Sequence, residues 1–502
     1  MVPSLAISIQ ASSLFDSCCN MRTPNALLLI LSAVGSLAQF PLHHQVGKCL
    51  MELPQEDVFL PGQTGYDRAK YNWNDRLPEV SPAVIIQARS TADVVQAVKC
   101  ANMHSLDVVA RSGGHDYEGY GLGGEDGKMI IDLVNMHETK FDNNNSTVSV
   151  ESGQLVGRLL HFLWKERGVA LPIGSDPRIG VGGHTLGGGY GLYGRLHGLM
   201  ADTVESMEVV TAAGDVVTAS KEENSDLFWA LLGAGHSSYG IVTKFHFRYF
   251  YAPKKFPVFS FTYPAGSSNF SEILLGVQRW YASSPPNEIT AIFNIYPGGK
   301  MRLAGTILTD DLQQQRQLFD EMVQKLPKTS IMTNQLMNMP ESYVSFNGGR
   351  PKVMDDLAKT QRRSDKFYFK AKSGYLVEPV AEEVADKIYE IMSKVNGHVL
   401  LMFDMQGGKI SESTSKDTSF IHRNTICSVQ MGVFNQKSLP WVQEIYTLLR
   451  PSFPEAYQNY IDSDEKDWKK MYYGDSYNKL VKIKNKYDPT NVFNFPRSIP
   501  LW

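Results

Sequence analysis

Most of the residues that could bind a ligand lie in two glycine-rich stretches of the chain. The first reads Arg111-Ser-Gly-Gly-His-Asp-Tyr-Glu-Gly119, and the second reads Gly174-Ser-Asp-Pro-Arg-Ile-Gly-Val-Gly-Gly-His-Thr-Leu-Gly-Gly-Gly-Tyr-Gly191. Glycine lets the backbone approach a ligand closely, and consecutive N–H groups form a nest that binds anions. One such stretch alone is as often a set of tight turns, but the pair predicts a site for a diphosphate.

Two matches to the dinucleotide-binding pattern G-x-G-x-x-G occur here, at residues 119–124 and 189–194. That pattern binds a diphosphate where it follows a strand and opens a helix. Neither match has this context, because residues 119–124 run into a turn and a predicted strand at 129. We therefore expect no Rossmann domain.

Two further candidates lie in the last hundred residues. Tyr460, in Tyr457-Gln-Asn-Tyr460, carries a phenol that could act as a base, but an ordinary pKa of ~10 requires activation. Asp404 ends the apolar stretch Leu401-Met-Phe-Asp404, where a carboxylate is costly unless it is paired or functional. The alternatives are aromatic packing for Tyr460 and a strand-end turn or cap for Asp404.

Other classes of chemistry lack their motifs. The 12 histidines include no H-E-x-x-H pattern and no Cys/His cluster, so we expect no metal. No nucleophile elbow of a hydrolase is present. The formal net charge is -3 and no dense Lys/Arg run occurs, so neither nucleic acid nor an anionic membrane surface is an expected partner.

Taken together, the motifs resemble the berberine-bridge/oligosaccharide-oxidase branch of the vanillyl-alcohol-oxidase (PCMH-type) family of FAD-linked oxidoreductases. The resemblance covers nearly the whole mature chain. Besides both glycine-rich stretches it includes Arg195-Leu-His-Gly-Leu199 with Asp202, Asp226-Leu-Phe-Trp229, Gly240-Ile-Val-Thr243 and Tyr487-Asp-Pro-Thr-Asn-Val-Phe493. Several separate motifs in the same order are far more specific than any one of them.

The resemblance implies that FAD is bonded covalently, through its 8α-methyl group, to His115. The family often adds a second link from a cysteine in a Gly-x-Cys-Pro context, but this chain has Asp176 there, so we predict a single tether. A carboxylate beside the flavin would lower its reduction potential, unless Asp176 turns to solvent. Other residues implied to bind the cofactor are Arg111, Ser112, Gly113, Gly114, Asp116, Gly174, Gly180, Gly183, His184, Gly187, Gly188, Gly189, Gly191, Gly240, Ile241, Val242, Asn491 and Phe493.

The resemblance also implies the catalytic roles. The family places its base on the tyrosine that matches Tyr460, and in the sugar-oxidising members an aspartate matching Asp404 hydrogen-bonds this tyrosine. A nearby carboxylate alone would raise a tyrosine pKa, so activation must also draw on the flavin site or on protein dipoles. Tyr117 is expected to line the substrate site, and Met402 stands where sugar oxidases tend to have a polar contact. The family's oxygen reactivity depends on the residue at Ile179, which leaves oxidase and dehydrogenase both open.

These residues favour one reaction and leave a second open. The first is oxidation of the anomeric carbon of a reducing oligosaccharide to a lactone, by hydride transfer to flavin N5, with O2 or another electron acceptor. The second is oxidation or cyclisation of a small-molecule metabolite on the same scaffold, which Met402 and Asp176 keep open. A flavin-free binding protein is a third interpretation, and the presence of both His115 and Tyr460 argues against it.

Hydrophobic periodicity and turn signals predict the elements that position these residues. Strands are predicted at 83–88, 107–111, 129–133, 148–151, 241–249, 289–295, 301–308, 367–371 and 398–404, with a hairpin over 204–218. Helices are predicted at 91–103, 155–167, 226–232, 311–325, 378–395, 438–449 and 475–486.

The predicted fold class is α+β. A PCMH-type, two-part FAD-binding domain is expected at 40–255, and a substrate domain with an antiparallel sheet at 256–454. Residues 455–502 are expected to return to the FAD domain. Tyr460 would then lie at the junction, where ligand pockets commonly form.

The first 38 residues are predicted to be a leader that is removed. Arg22 precedes an apolar run from Ala26 to Val34, and small residues follow up to Ala38, as a signal peptidase requires. The run is too short to cross a bilayer. Met21 is a possible true start, and a buried N-terminal helix is the alternative. We expect a secreted, extracellular monomer.

Cysteines and sequons fit secretion. Removal of the leader eliminates Cys18 and Cys19, and the remaining three cysteines allow one disulfide and one free thiol. The family pairs cysteines at positions matching Cys49 and Cys100, so the resemblance implies this disulfide and leaves Cys427, expected to be buried and inert. Sequons are present at Asn144, Asn145 and Asn269.

Overall fold

The computed structural model describes residues 45–142, 146–347, 352–395 and 397–502. The chain divides into two units, residues 1–52 and 53–502. In the first unit the described residues are 45–52, of which 45–49 are helical. The predicted leader and the sequons at Asn144 and Asn145 lie outside the described residues. Within the described part, none of the helices combines the length and apolar character that a membrane crossing needs.

The described part of the second unit contains both strands and helices. The strands are β1 Val58–Phe59, β2 Val84–Gln87, β3 Val108–Arg111, β4 Met129–Asp132, β5 Thr139–Phe141, β6 Thr147–Glu151, β7 Val169–Ala170, β8 Val204–Val210, β9 Val216–Ser220, β10 Ile241–Arg248, β11 Phe250–Tyr251, β12 Phe256–Tyr263, β13 Ile289–Ile295, β14 Met301–Ile307, β15 Ile331–Met337, β16 Lys370–Leu376, β17 Val399–Met405 and β18 Cys427–Val433. The α-helices are Tyr66–Ala69, Thr91–Met103, Val156–Arg167, Val181–Leu186, Gly194–His197, Ser225–Ala234, Phe270–Ala282, Leu312–Lys325, Met339–Phe346, Met354–Ala358, Glu382–Lys394, Leu439–Leu449, Trp468–Tyr473 and Tyr477–Tyr487.

Three larger sheets organise these elements. A four-stranded sheet has the order β1-β2-β4-β3, in which β2, β4 and β3 are parallel. A five-stranded antiparallel sheet has the order β5-β6-β10-β8-β9. A seven-stranded antiparallel sheet, β15-β12-β14-β13-β17-β18-β16, is built from later residues. The α+β fold class is confirmed, whereas the domain limits stay a prediction.

The helix Thr91–Met103 shows why local sequence specifies local structure here. Ser90 caps it, because its hydroxyl accepts from the Asp93 N–H while the Asp93 carboxylate accepts from the Ser90 N–H. Its buried face carries Val94, Ala97, Val98 and Ala101, at helical spacing. The chain then turns at Ser105 into β3. Strand β3 ends at Arg111, where the first glycine-rich stretch begins.

The C-terminal tail returns to the four-stranded sheet. Val108 of β3 forms a parallel bridge with Phe493. The buried Lys484 ammonium donates to Asp488 at 2.6 Å and to the carbonyl oxygens of Ser238 and Phe493. A paired, fully hydrogen-bonded charge of this kind fixes the end of the chain against β3.

The bounds of one core strand were predicted wrongly, because the strand contains charged residues. A strand was predicted at 367–371, but β16 runs from Lys370 to Leu376 and is buried throughout. Its two lysines, Lys370 and Lys372, look like surface residues because their partner, Asp462, lies some 90 positions away in the chain. Strands β12, β15 and β18 and the helix Phe270–Ala282 were also not predicted.

The predicted disulfide is present. Cys49 and Cys100 are both disulfide-bonded. Cys427, in β18, is a buried free thiol, and burial raises its pKa well above the ordinary value. A thiol held in its protonated form is a poor nucleophile, as expected for an inert cysteine. Asn269 is exposed beside the helix Phe270–Ala282, which leaves its sequon accessible.

Candidate active site

A large cavity lies where the glycine-rich stretches meet β17, β18 and the segment around Tyr460. Most of the predicted site residues line it: Arg111, Ser112, Gly113, Gly114, His115, Asp116, Tyr117, Gly174, Asp176, Gly180, Gly183, His184, Gly191, Gly240, Ile241, Val242, Met402, Asp404 and Tyr460. Gly187, Gly188, Gly189, Asn491 and Phe493 are not among the lining residues.

The glycines of the two stretches serve different purposes. A Cβ on Gly113 would overlap the backbone of Gly180, and a Cβ on Gly180 would overlap that of Gly113, so this pair lets the two stretches touch. Gly183 instead has nothing within 4 Å of its missing Cβ, although it lines the cavity. Gly114 has a φ of +65°, which glycine adopts without strain. An open backbone surface of this kind fits a cofactor such as FAD, which must approach the main chain closely.

The triple glycine of the second stretch makes room for protein. A Cβ would overlap the Asn459 side chain at Gly187, the Phe420 ring at Gly188 and Met200 at Gly189. The Cβ positions of these three glycines face protein, and their contact with the cofactor stays a prediction. Their small size lets the segment that carries Tyr460 pack against the stretch. Phe493 likewise forms a bridge to β3, outside the cavity.

Arg111 anchors the start of the first glycine-rich stretch through buried ion pairs. It ends β3 and holds the buried carboxylate of Asp132 through Nη2 at 2.5 Å and Nε at 3.1 Å. Arg362, which the sequence analysis missed, donates to the same carboxylate and to the Ser112 carbonyl oxygen. Burial alone would raise the pKa of Asp132, but the two guanidinium groups outweigh it and lower the pKa to about 2. These buried ion pairs fix the start of the loop that follows β3.

Asp116 and His184 act within the loops. The Asp116 carboxylate accepts from the backbone N–H groups of Glu118 and Tyr120, at 2.8 and 2.9 Å, while burial raises its pKa to about 6. His184 Nε2 accepts from the Gly174 N–H at 3.0 Å and so links the middle of the second stretch to its first residue. Burial lowers the pKa of His184 to about 4, which keeps the imidazole neutral.

His115 lies beside an ion pair. Its Nε2 is 3.5 Å from Asp176 Oδ2 and 3.3 Å from Arg363 Nε. The Asp176 carboxylate is not left to solvent, because Arg178 and Arg363 both bind it. Burial would raise the pKa of Asp176, but His115 and Arg178 outweigh this and hold it well below the ordinary value. Because two arginines balance the charge, the predicted lowering of a flavin potential is weakened.

Several tyrosines line the cavity together with Asp404. The Tyr117 and Tyr460 rings are stacked, with centroids 5.5 Å apart and planes at 13°. Burial raises the pKa of Tyr460 well above its ordinary value, and burial raises the pKa of Tyr117 to about 12. Neither phenol is therefore ionised at neutral pH by its surroundings in the protein.

Tyr190 connects Tyr460 to Asp404. Its oxygen is 3.0 Å from the Tyr460 oxygen, 3.2 Å from Asp404 Oδ2 and 3.3 Å from Ser428 Oγ. The sequence analysis expected Asp404 to hydrogen-bond Tyr460 directly, and the structure corrects this by placing Tyr190 between them. Asp404 is buried in β17, and burial raises its pKa to about 7. A carboxyl group with this pKa can gain and lose a proton at neutral pH.

Gln430 was also missed by the sequence analysis. It lies on β18 directly opposite Met402 on β17, so that both side chains belong to one face of the sheet. Gln430 is buried, and its Nε2 donates to the Tyr117 hydroxyl at 3.0 Å. A polar group therefore stands next to the apolar Met402. The signal available in the sequence was a glutamine within the apolar run Cys427–Val433.

Comparisons with known proteins agree with this geometry. Residues 82–220 match the family described as FAD binding domain, and residues 456–500 match the family described as berberine and berberine like. A carbohydrate oxidase of Microdochium nivale is 30% identical over 501 residues, covering 95% of this chain and 99% of that protein. A chitooligosaccharide oxidase of Gibberella zeae is 31% identical, covering 85% of this chain and 89% of that protein.

A solved structure shares the fold over most of the chain. That of BBE-like 1 from Physcomitrella patens superposes with a TM-score of 0.83 at 30% identity, covering 91% of this chain and 99% of that one. The fold and the glycine-lined cavity define a flavoprotein oxidoreductase. The chain belongs to the berberine-bridge/oligosaccharide-oxidase branch of the FAD-linked oxidoreductases, as the sequence motifs indicated.

Proposed function

We propose that this protein is a secreted enzyme that oxidises the anomeric carbon of reducing oligosaccharides to lactones. The observation that carries the proposal is the hydrogen-bonded chain Tyr460–Tyr190–Asp404, which opens into the cavity beside the glycine-lined cofactor site. An alcohol is oxidised by removing a proton from oxygen and a hydride from carbon. Bound FAD would accept the hydride, and the tyrosine–aspartate chain would accept the proton.

The route of the proton follows from the pKa directions. Tyr460 accepts the proton of the sugar hydroxyl as it passes its own phenol proton to Tyr190, and Tyr190 passes its proton to Asp404. Since burial raises the pKa of Tyr460 and of Tyr190, a lasting phenolate on either is unfavourable. With a pKa of about 7, Asp404 is the group of the Tyr460–Tyr190–Asp404 relay that can be ionised at neutral pH and so receive the proton. Tyr460 is thus the base in contact with substrate, and Asp404 is the final proton acceptor.

The proposed cofactor is FAD bonded covalently to His115, without a cysteinyl link. Position supports this, since His115 lines the cavity in the loop that follows β3, and the same cavity is lined by Gly183, whose Cβ position is open. Asp176 has no thiol to form a thioether. After oxidation of the sugar, O2 or another electron acceptor would regenerate the cofactor.

A sugar substrate is supported by the site and by the names of two relatives, a carbohydrate oxidase and a chitooligosaccharide oxidase. Aromatic faces suit sugar rings, and the stacked Tyr117 and Tyr460 offer one such face. Gln430 supplies a polar contact for a hydroxyl group. Met402 favours the second candidate, a small apolar metabolite on the same scaffold. Its thioether makes this part of the β17 surface that lines the cavity apolar.

The test is anaerobic mixing of the purified protein with a panel of reducing oligosaccharides while flavin absorbance is followed. Bleaching by some members is the expected result and ranks the substrates. Readmission of air then shows whether O2 restores the colour. A yellow protein that no sugar bleaches would contradict the sugar proposal and favour a small metabolite. Secretion and a monomeric state are tested separately, by cleavage of the leader and by light scattering.

A further inference from the structure

Two charged side chains converge on one nitrogen of His115. Asp176 Oδ2 lies 3.5 Å from His115 Nε2, and Arg363 Nε lies 3.3 Å from the same atom. The two are also paired with each other, since Arg363 Nη2 is 3.1 Å from Asp176 Oδ2. One edge of the imidazole therefore faces a complete ion pair.

The ion pair is itself held from two sides. Arg178 donates to both oxygens of Asp176, each at 3.1 Å, and its backbone N–H donates at 2.9 Å. The Arg363 guanidinium lies over the Trp73 and Phe367 rings, 5.3 and 5.1 Å from their centroids. Contacts of this number leave the carboxylate and the guanidinium little freedom to move.

The segments that supply these groups are far apart in sequence. His115 belongs to the first glycine-rich stretch, Asp176 to the second, and Arg363 to the loop before β16. The side chains of His115, Asp176 and Arg363 are 16%, 23% and 14% exposed. Their meeting inside the cavity is thus a feature of the tertiary structure, and it involves the side chain proposed to carry the cofactor.

The chemistry of imidazole gives the contact a defined effect. Nε2 can donate a hydrogen bond to Asp176 or accept one from Arg363, and either bond restricts the plane and rotation of the ring. A side chain held in one orientation reacts faster with a neighbouring atom than one that samples several rotamers. Without the pair, His115 would lose both of these polar contacts at Nε2.

We propose that Asp176, held by Arg363, is a positioning residue that orients the His115 imidazole for attachment of FAD. The inference rests on the proposed tether at His115. Attachment breaks one C–H bond of the flavin methyl group and one N–H bond of the imidazole, forms one C–N bond and releases two protons. The two electrons pass to an electron acceptor, for which O2 serves. Asp176 and Arg363 take no part in the bonds that form or break.

The experiment measures covalent attachment and not turnover. FAD is added to protein purified from flavin-limited cells, portions are precipitated with acid over time, and the fraction of flavin absorbance in the pellet is recorded. Asp176→Asn and Arg363→Met should slow attachment about tenfold, the loss that corresponds to one charged hydrogen bond. Arg363→Lys, which keeps the charge without the fork, should not restore the rate.

Two controls separate positioning from folding. Asp365→Asn removes a carboxylate 3.9 Å from Arg363 that is 64% exposed, and attachment should match that of the unmodified protein. Filter binding and thermal unfolding of Asp176→Asn should show that FAD still binds noncovalently to a folded protein. Attachment by Asp176→Asn at the unmodified rate overturns the inference while leaving the tether intact. If the unmodified protein releases all its flavin into acid, as His115→Ala should, the tether itself is absent and the inference fails with it.

Discussion

The hydroxyl oxygen of Tyr190 lies 3.2 Å from Oδ2 of Asp404, and this contact joins the buried carboxylate to the rest of the active site. Tyr460, the proposed base, reaches Asp404 only through Tyr190, whose oxygen is 3.0 Å from its own. A tyrosine whose pKa is raised by burial is a poor base alone. The bridging phenol removes that difficulty, since the proton can end on a carboxylate without a stable phenolate.

Removal of the Tyr460 hydroxyl should abolish most catalysis. In Tyr460→Phe the protein should stay yellow, because the cofactor contacts are unchanged, but anaerobic reduction by sugar should slow by roughly 10²–10⁴-fold, the usual contribution of a general base. Stopped-flow measurement of flavin bleaching checks this. Unchanged reduction would remove Tyr460 from the base role.

Tyr190→Phe should break the route to Asp404 while leaving Tyr460 in place. We expect flavin reduction to slow by at least about tenfold, the effect of losing one hydrogen bond to an ionised group. The KM for sugar should change little, because Tyr190 acts on Tyr460. The control is Tyr389→Phe, a tyrosine on the helix Glu382–Lys394, outside the cavity lining. A Tyr190→Phe enzyme as fast as the control would exclude the relay.

The pH dependence of flavin reduction should report Asp404. Burial raises its pKa to about 7, and only the ionised carboxylate can accept the proton. The rate should therefore fall as pH drops below about 7 and level off above it. In Asp404→Asn the rate should be low throughout and this inflexion should vanish. An inflexion that survives in Asp404→Asn would belong to another group.

Gln430 should matter for the substrate. Gln430→Leu removes the amide that contacts Tyr117 and faces the cavity, so we expect the KM for reducing sugars to rise about tenfold with a smaller change in kcat. Steady-state kinetics on the best sugar of the panel measures this. Gln443→Leu, an exposed glutamine on the helix Leu439–Leu449, provides the matched control. Equal KM values for the two variants would exclude a sugar contact at Gln430.

The buried ion pairs of Asp462 with Lys370 and Lys372 should contribute strongly to the free energy of unfolding. Asp462 accepts from Lys370 and Lys372, each at 2.6 Å, and all three side chains are at most 5% exposed. Asp462→Asn removes the buried charge that the two ammonium groups share and leaves them with Glu118 and the exposed Asp464, so it should lower the free energy of unfolding by about 3–5 kcal/mol. Asp464→Asn touches the same lysines from a site that is 60% exposed and should change it by less than about 1 kcal/mol. Urea unfolding compares the two, and equal losses would contradict the role given to burial.

The local features of this protein are written in its sequence. Capping and periodicity predicted the helix Thr91–Met103 with its bounds, because Ser90, Asp93 and the apolar spacing act over a few residues. The glycine-rich stretches were recognised from local composition, whereas the roles of His115 and Tyr460 came from the resemblance of their motifs to a known family. The α+β class followed from the run of elements.

Tertiary structure alone decided which of these groups touch. The position of Tyr190 between Asp404 and Tyr460 joins three segments, and no local pattern encodes contacts over 200 positions or more. Arg363 contacts His115 and Lys370 lies in the core, because polar partners from distant segments offset the cost of burying these charges. The triple glycine at 187–189 faces protein, because the packing of Asn459, Phe420 and Met200 determined which surface of the stretch meets the cavity. Sequence fixes local geometry through neighbouring residues, whereas the pairing of buried polar groups depends on how the whole chain closes on itself.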